Sequence, residues 1–160
     1  MYEKSPDFLT AEFPFPLHIL RRIRARIIEN EWNPFMQKIL IVDDERDAVD
    51  VLSLMLEMSS FDVVVAYNGA QAFRLIEEKR PDLILSDFMM PELDGVSLCR
   101  KVKGDPQTAN IPFILMTAAK GPIEDAPADR IITKPIELGN LLETFEQVSK
   151  STAPRLRVAF

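Results

Sequence analysis

Five polar residues would make a reactive group if the fold brought them together: the adjacent pair Asp43 and Asp44, then Asp87, Thr117 and Lys134. Each has an ordinary explanation on its own. Asp43 or Asp44 could cap a helix, Asp87 could open a turn, Thr117 could be a plain strand residue and Lys134 a solvated charge. Jointly those explanations fail, because three carboxylates at one place repel unless a proton or a cation neutralises them. An all-oxygen donor set suits magnesium, which keeps several of its waters and commonly pairs with phosphate oxygens. Lys134 would add a second positive charge and Thr117 a hydroxyl donor, and those are the parts that stabilise a phosphoryl group in transfer.

The elements that must position these residues can be read from the same stretch. From Lys38 onward, short apolar runs alternate with segments of helical period, the sequence sign of βαβ units and a parallel sheet. The runs read as strands from Lys38 to Val42, Asp62 to Ala66, Asp82 to Ser86, Ile111 to Thr117 and Arg130 to Thr133. Asp43, Asp87, Thr117 and Lys134 then all fall at the carboxyl ends of strands, where open parallel α/β sheets collect their ligands. Between the strands, Val49, Leu52 and Leu56 make one stripe of the first helix, and Ala48, Val51 and Met55 make a second that is available for a partner. The last helix shows the closest helical spacing, at Leu138, Leu141, Leu142, Phe145 and Val148. Asn68-Gly69, Arg80-Pro81 and Asp94-Gly95 punctuate the boundaries.

Composition narrows the classes. With 160 residues the chain suffices for one domain with a sizeable core, its single cysteine rules out an internal disulfide, and its single histidine leaves little scope for a zinc cluster. A net charge of -6 argues against broad nucleic-acid binding. No apolar run is long enough to span a bilayer, and no signal peptide opens the sequence, so a cytoplasmic location is expected and membrane contact is not. Residues 1–36 differ in character. After Pro6, Pro14 and Pro16 comes an expected amphipathic helix from Leu17 to Trp32, with Leu20, Ile23 and Ile27 on one stripe and a basic cluster at Arg21, Arg22, Arg24 and Arg26. This segment is expected to mediate association, either as a homodimer through Leu17–Trp32 or with a target.

The order and spacing of the motifs resemble one family. Ile41-Val42-Asp43-Asp44-Glu45, the run from Leu83 through Asp87 to Gly95, Met116-Thr117-Ala118 and Lys134-Pro135 are similar to the motifs of response-regulator receiver domains. The resemblance covers residues 37–150, with 151–160 left as a C-terminal tail. It implies a flavodoxin-like, doubly wound α/β fold with five parallel strands in the order 2-1-3-4-5, and a cis Lys134-Pro135 bond. It also implies that Asp87 is the phosphoacceptor, that Thr117 and Lys134 contact the phosphoryl oxygens, and that Asp43, Asp44, Asp87 and the Met89 backbone carbonyl bind Mg2+. The implied partner is a sensor histidine kinase or a histidine phosphotransfer protein. The chain would be a phosphoacceptor that assists its own phosphorylation and dephosphorylation rather than an enzyme.

The sequence departs from the family at two places. Ile131 stands where most receivers carry an aromatic residue three positions before the lysine, and the stretch from Thr117 to Lys134 is about five residues short, more than one helical turn. The helix between the fourth and fifth strands is therefore expected to be shortened or absent. No DNA-binding effector domain is expected, so output should come through protein contact with a downstream target. A degenerate receiver serving only as a binding module is the main alternative. A haloacid-dehalogenase-like phosphohydrolase is weaker, because Met89 stands where that family needs a second Asp.

Overall fold

Strands β1 (Lys38–Val42), β3 (Leu83–Asp87) and β4 (Phe113–Thr117) carry almost unbroken apolar sequence, and the fold explains why. A computed structural model describes residues 38–118 and 126–151. In it these three strands lie inside a parallel sheet completed by β2 (Asp62–Ala66) and β5 (Arg130–Thr133), in the order β2-β1-β3-β4-β5. A parallel strand between two neighbours is covered by helices on both faces, so it does not alternate between apolar and polar. Every residue of β3 and β4 is buried, whereas three of the four in the edge strand β5 are exposed.

Four helices cover the sheet among the described residues: α1 (Arg46–Met58), α2 (Gly69–Lys79), α3 (Gly95–Gly104) and α4 (Leu138–Ser151). On one face, Leu40, Val42, Ile84 and Leu115 pack with Ala72 and Ile76 of α2 and with Leu98, Cys99 and Val102 of α3. Strand alternation sends Ile39, Ile41, Leu85 and Met116 to the other face. There Val49, Leu52 and Leu56 of α1 are buried, as are Leu141, Leu142, Phe145 and Val148 of α4. Phe145 meets Phe61 edge to face, with ring centroids 5.7 Å apart. The second stripe of α1 stays partly open: Val51 is 61% exposed and lines a groove of about 410 Å³ with Met55, Pro135 and Ile136.

Capping sets two of the helix starts. Asn68 accepts a hydrogen bond from the Gln71 amide at 2.8 Å, and Asp94 accepts one from the Ser97 amide at 2.7 Å. Helix α2 stops at Arg80, which takes a left-handed conformation (φ 48) while its amide donates to the Ile76 carbonyl.

Two strand starts differ from expectation. The third strand begins at Leu83 rather than Asp82, because Asp82 is engaged in a local ring with Lys38: its amide donates to the Lys38 carbonyl and its carboxylate accepts from the Lys38 amide. The fourth begins at Phe113 rather than Ile111, because the Ile111 amide turns back to the Thr108 carbonyl and Pro112 has no N–H to give. Among the described residues no helix lies between β4 and β5. Residues 119–125 of that connection lie outside the described residues, as do the expected extension, its helix from Leu17 to Trp32, and the tail from 152 onward.

Candidate functional site

The carboxyl ends of β1, β3, β4 and β5 meet at one edge of the sheet. Parallel pairing sets Asp87 opposite Met116, one residue before Thr117, and Thr117 opposite Thr133, one residue before Lys134. The Lys134 amide donates to the Thr117 carbonyl at 2.7 Å, which carries the strand register into the loop that bears the lysine. The Lys134-Pro135 bond is cis. Behind Asp87, Gly95 approaches so closely that a Cβ there would collide with the Asp87 backbone carbonyl and the Leu115 side chain.

All the acidic residues singled out in the sequence arrive together. One carboxylate oxygen from each of Asp43, Asp44 and Asp87 lies within 4.8 Å of the other two. Asp43 and Asp87 are buried, while Asp44 is exposed at the mouth. Lys134 bridges the buried pair, its Nζ standing 3.0 Å from Asp43 Oδ2 and 2.6 Å from Asp87 Oδ1. Burial opposes the charge on this ammonium, but its hydrogen bonds to Asp87 and Asp43 outweigh that and hold its pKa above the ordinary lysine value. Thr117 is buried at the end of β4. The site is thus an all-oxygen, anionic cluster with one fixed cation, a donor set that fits a hard divalent ion.

Two backbone amides complete the arrangement, and the sequence gives no sign of them. The Met89 amide donates to Asp87 Oδ2 at 2.8 Å, so the two oxygens of Asp87 have different partners. The Glu45 amide donates to Asp43 Oδ1 at 3.0 Å, fixing that carboxylate at the start of α1. Such bonds depend on local backbone turns and leave no residue-type signature. Nearby, the Arg46 guanidinium lies 4.3 Å from the centre of the Tyr67 ring, a pair whose spacing in sequence gave no hint of contact.

The profile of the response regulator receiver domain matches residues 39–146. The chain belongs to that family. Among curated relatives, the DNA-binding dual master transcriptional regulator RpaA of Synechocystis sp. is 35% identical over 123 residues, covering 73% of this chain and 51% of the relative. The phosphate regulon transcriptional regulatory protein PhoB of Pseudomonas aeruginosa is 38% identical over 122 residues, covering 72% of this chain and 53% of the relative. The receiver chain therefore spans about half the length of these curated relatives. Among solved structures, the signal receiver domain of a signal transduction histidine kinase from Syntrophus aciditrophicus has a TM-score of 0.69 at 33% identity, covering 78% of this chain and 98% of that one. The receiver is of the kind found in two-component response regulators, with the expected strand order. Among the described residues no helix is long and apolar enough to cross a membrane.

Proposed function

We propose that this receiver accepts a phosphoryl group on Asp87 from the phosphohistidine of a sensor histidine kinase or a histidine phosphotransfer protein, in a reaction that needs Mg2+. The single observation that carries the reading is Lys134 bridging Asp43 and Asp87 while Asp44 completes the carboxylate group. An Asp87 oxygen forms a bond to phosphorus as the P–N bond of phosphohistidine breaks, and the electrons of that bond leave on the imidazole nitrogen. The product is an acyl phosphate on Asp87. Lys134 follows the charge onto the phosphoryl oxygens, the Thr117 hydroxyl donates to another, and the Met89 amide holds Asp87 in orientation. Asp43, Asp44, Asp87 and the Met89 backbone carbonyl are the groups proposed to hold the ion. Bound there, Mg2+ would neutralise the repulsion between an anionic nucleophile and an anionic phosphoryl group.

The receiver assists this transfer and the later hydrolysis of the acyl phosphate, in which water takes the phosphoryl group as inorganic phosphate and the Asp87 carboxylate is restored, and we class it as a phosphoacceptor rather than an enzyme. A phosphohistidine donor and free magnesium are both cytoplasmic supplies, so the cytoplasm is the proposed location. Output is proposed to pass by protein contact to a downstream target. The apolar stripe Leu20, Ile23 and Ile27 within Leu17–Trp32 is the candidate surface, for a target or for a homodimer.

Incubation with acetyl phosphate and MgCl2, followed by intact-mass measurement, tests the chemistry. The wild type should gain one phosphoryl mass that hydroxylamine removes, and Asp87→Ala should gain none. A wild type that takes no label from either acetyl phosphate or a phosphorylated donor would leave the chain as a phosphorylation-independent binding module.

A further inference from the structure

At the end of the sheet opposite Asp87, one ammonium ties together three pieces of chain. Lys103, in the last turn of α3, donates from Nζ to the Ala109 carbonyl at 3.1 Å and the Ile111 carbonyl at 2.9 Å, and stands 2.7 Å from Asp129 Oδ2. Asp129 in turn closes a ring with the first residue of β4: its amide donates to the Phe113 carbonyl at 2.9 Å, and its Oδ2 accepts from the Phe113 amide at 2.7 Å. Lys103 is the less exposed partner of the ion pair, its side chain 17% accessible. Three acceptors saturate the three donors of an ammonium, so the group is fully satisfied where it sits.

The knot lies where β5 begins. From the next pair on, Ile114 is opposite Arg130, Leu115 opposite Ile131, Met116 opposite Ile132 and Thr117 opposite Thr133. Strand β5 is four residues long, mostly exposed, and among the described residues has β4 as its one strand neighbour. Its own side chains do little to choose a register, and a slip of one residue displaces a strand by roughly 3.3 Å and turns each side chain to the opposite face. Such a slip would carry Lys134 out of reach of Asp43 and Asp87.

We infer that Lys103 and Asp129 are positioning residues for the phosphoryl-transfer site, fixing the register of β5 on β4 and thereby the place of the Lys134 ammonium. The inference rests on the proposed role of Lys134 in phosphorylation of Asp87. It separates two functions of the site, because the carboxylates sit on β1 and β3, which the knot does not hold, while the lysine follows β5.

The test uses the full chain, with acetyl phosphate as donor, intact mass to follow labelling, and calorimetric titration with MgCl2 alone. Lys103→Met should slow phosphorylation roughly a hundredfold, the loss expected when a reacting group is displaced by about an ångström or more, without weakening Mg2+ binding. Hydrogen exchange at the Lys134 amide should speed up while the Val42 and Leu85 amides keep their protection. Lys103→Arg, which preserves the charge, should recover most of the rate. Asp129→Asn keeps an acceptor for the Phe113 amide and loses the ion pair, so it carries the same test if Lys103→Met does not fold. Folded variants that phosphorylate at the wild-type rate would overturn the inference, as would loss of Mg2+ affinity in step with phosphorylation, which marks general loss of structure. If the wild type itself takes no label, the phosphoacceptor reading fails, and unchanged exchange at Lys134 in the variants would then sink the register role as a separate matter.

Discussion

Lys134 pairs with two of the carboxylates that are proposed to hold a divalent cation. The ammonium contacts Asp43 Oδ2 and Asp87 Oδ1, and Asp43 and Asp87 are two of the three clustered carboxylates. Replacing it by an apolar side chain of similar length leaves the carboxylates less neutralised, so Lys134→Met should bind Mg2+ more tightly, by roughly threefold to tenfold for one like charge removed near the surface. Phosphorylation should nevertheless fall by about a hundredfold or more, since the role proposed for the lysine is to stabilise charge that develops in the transition state. Opposite movements of the two quantities, measured by calorimetry and by intact mass, distinguish this role from a structural one. Cys99 supplies a second prediction at this scale. Burial is the main cause that pushes its thiol up to about 11, from an ordinary value of 9.0. The unfolded chain therefore releases the thiol proton near pH 9 while the folded protein keeps it, and the folded state loses stability as pH rises between the two values. By pH 10 the wild type should lose roughly 1 kcal/mol more than Cys99→Ala relative to pH 8, read from urea denaturation. Equal losses would count against a buried, neutral thiol.

The elements show where sequence is informative and where it is not. Asp43, Asp87 and Thr117 were legible because each ends or follows a buried apolar run, and a buried parallel strand can end in a polar residue only at the rim of the sheet. The strand starts were less legible. Asp82 and Ile111 look like strand residues by type, but one is engaged with Lys38 and the other folds back to Thr108, and both partners are distant or turn-forming groups that a periodicity cannot display. The Lys103–Asp129 knot was invisible for the same reason: its members are 26 positions apart by their residue numbers, and each reads alone as a solvated charge. The first helix was read more fully, since its Val49, Leu52 and Leu56 stripe is buried and Val51 on the other stripe is open. At Asp94-Gly95 both residues have a defined task. Asp94→Ala should cost about 1 kcal/mol through loss of the cap on α3. Gly95→Ala should cost more, about 2 kcal/mol or above by forced overpacking, because the new Cβ would strike the Asp87 carbonyl and Leu115. It should also slow phosphorylation, whereas Asp94→Ala leaves Asp87 itself undisturbed. Denaturation midpoints and labelling rates of the two variants check both statements.

Across the whole molecule, the site is a local concentration of the negative charge that the chain carries overall, with a net -6. Folding brings the adjacent pair Asp43 and Asp44 to Asp87, which lies far from them along the unfolded chain, and Lys134 supplies one compensating charge in the described structure. The gathered carboxylates oppose folding through repulsion, and the same gathering creates the only arrangement in which they could hold one ion together. An ion that binds the folded chain and not the dispersed carboxylates must raise stability by mass action. At ten times its dissociation constant, Mg2+ should add roughly 1.4 kcal/mol, which for a domain of this size is a rise in Tm of about 2 to 6 °C. The gain should vanish in Asp44→Ala, which keeps the buried Asp43–Lys134–Asp87 bridge and loses one proposed ligand. Asp87→Asn should melt higher than the wild type without the ion, because one of the repelling charges is gone, and should gain little when MgCl2 is added. Thermal melts in MgCl2 and in NaCl of matched ionic strength separate specific binding from screening. A rise in Tm that NaCl reproduces, or that persists undiminished in both variants, would show that the three carboxylates do not act as one site.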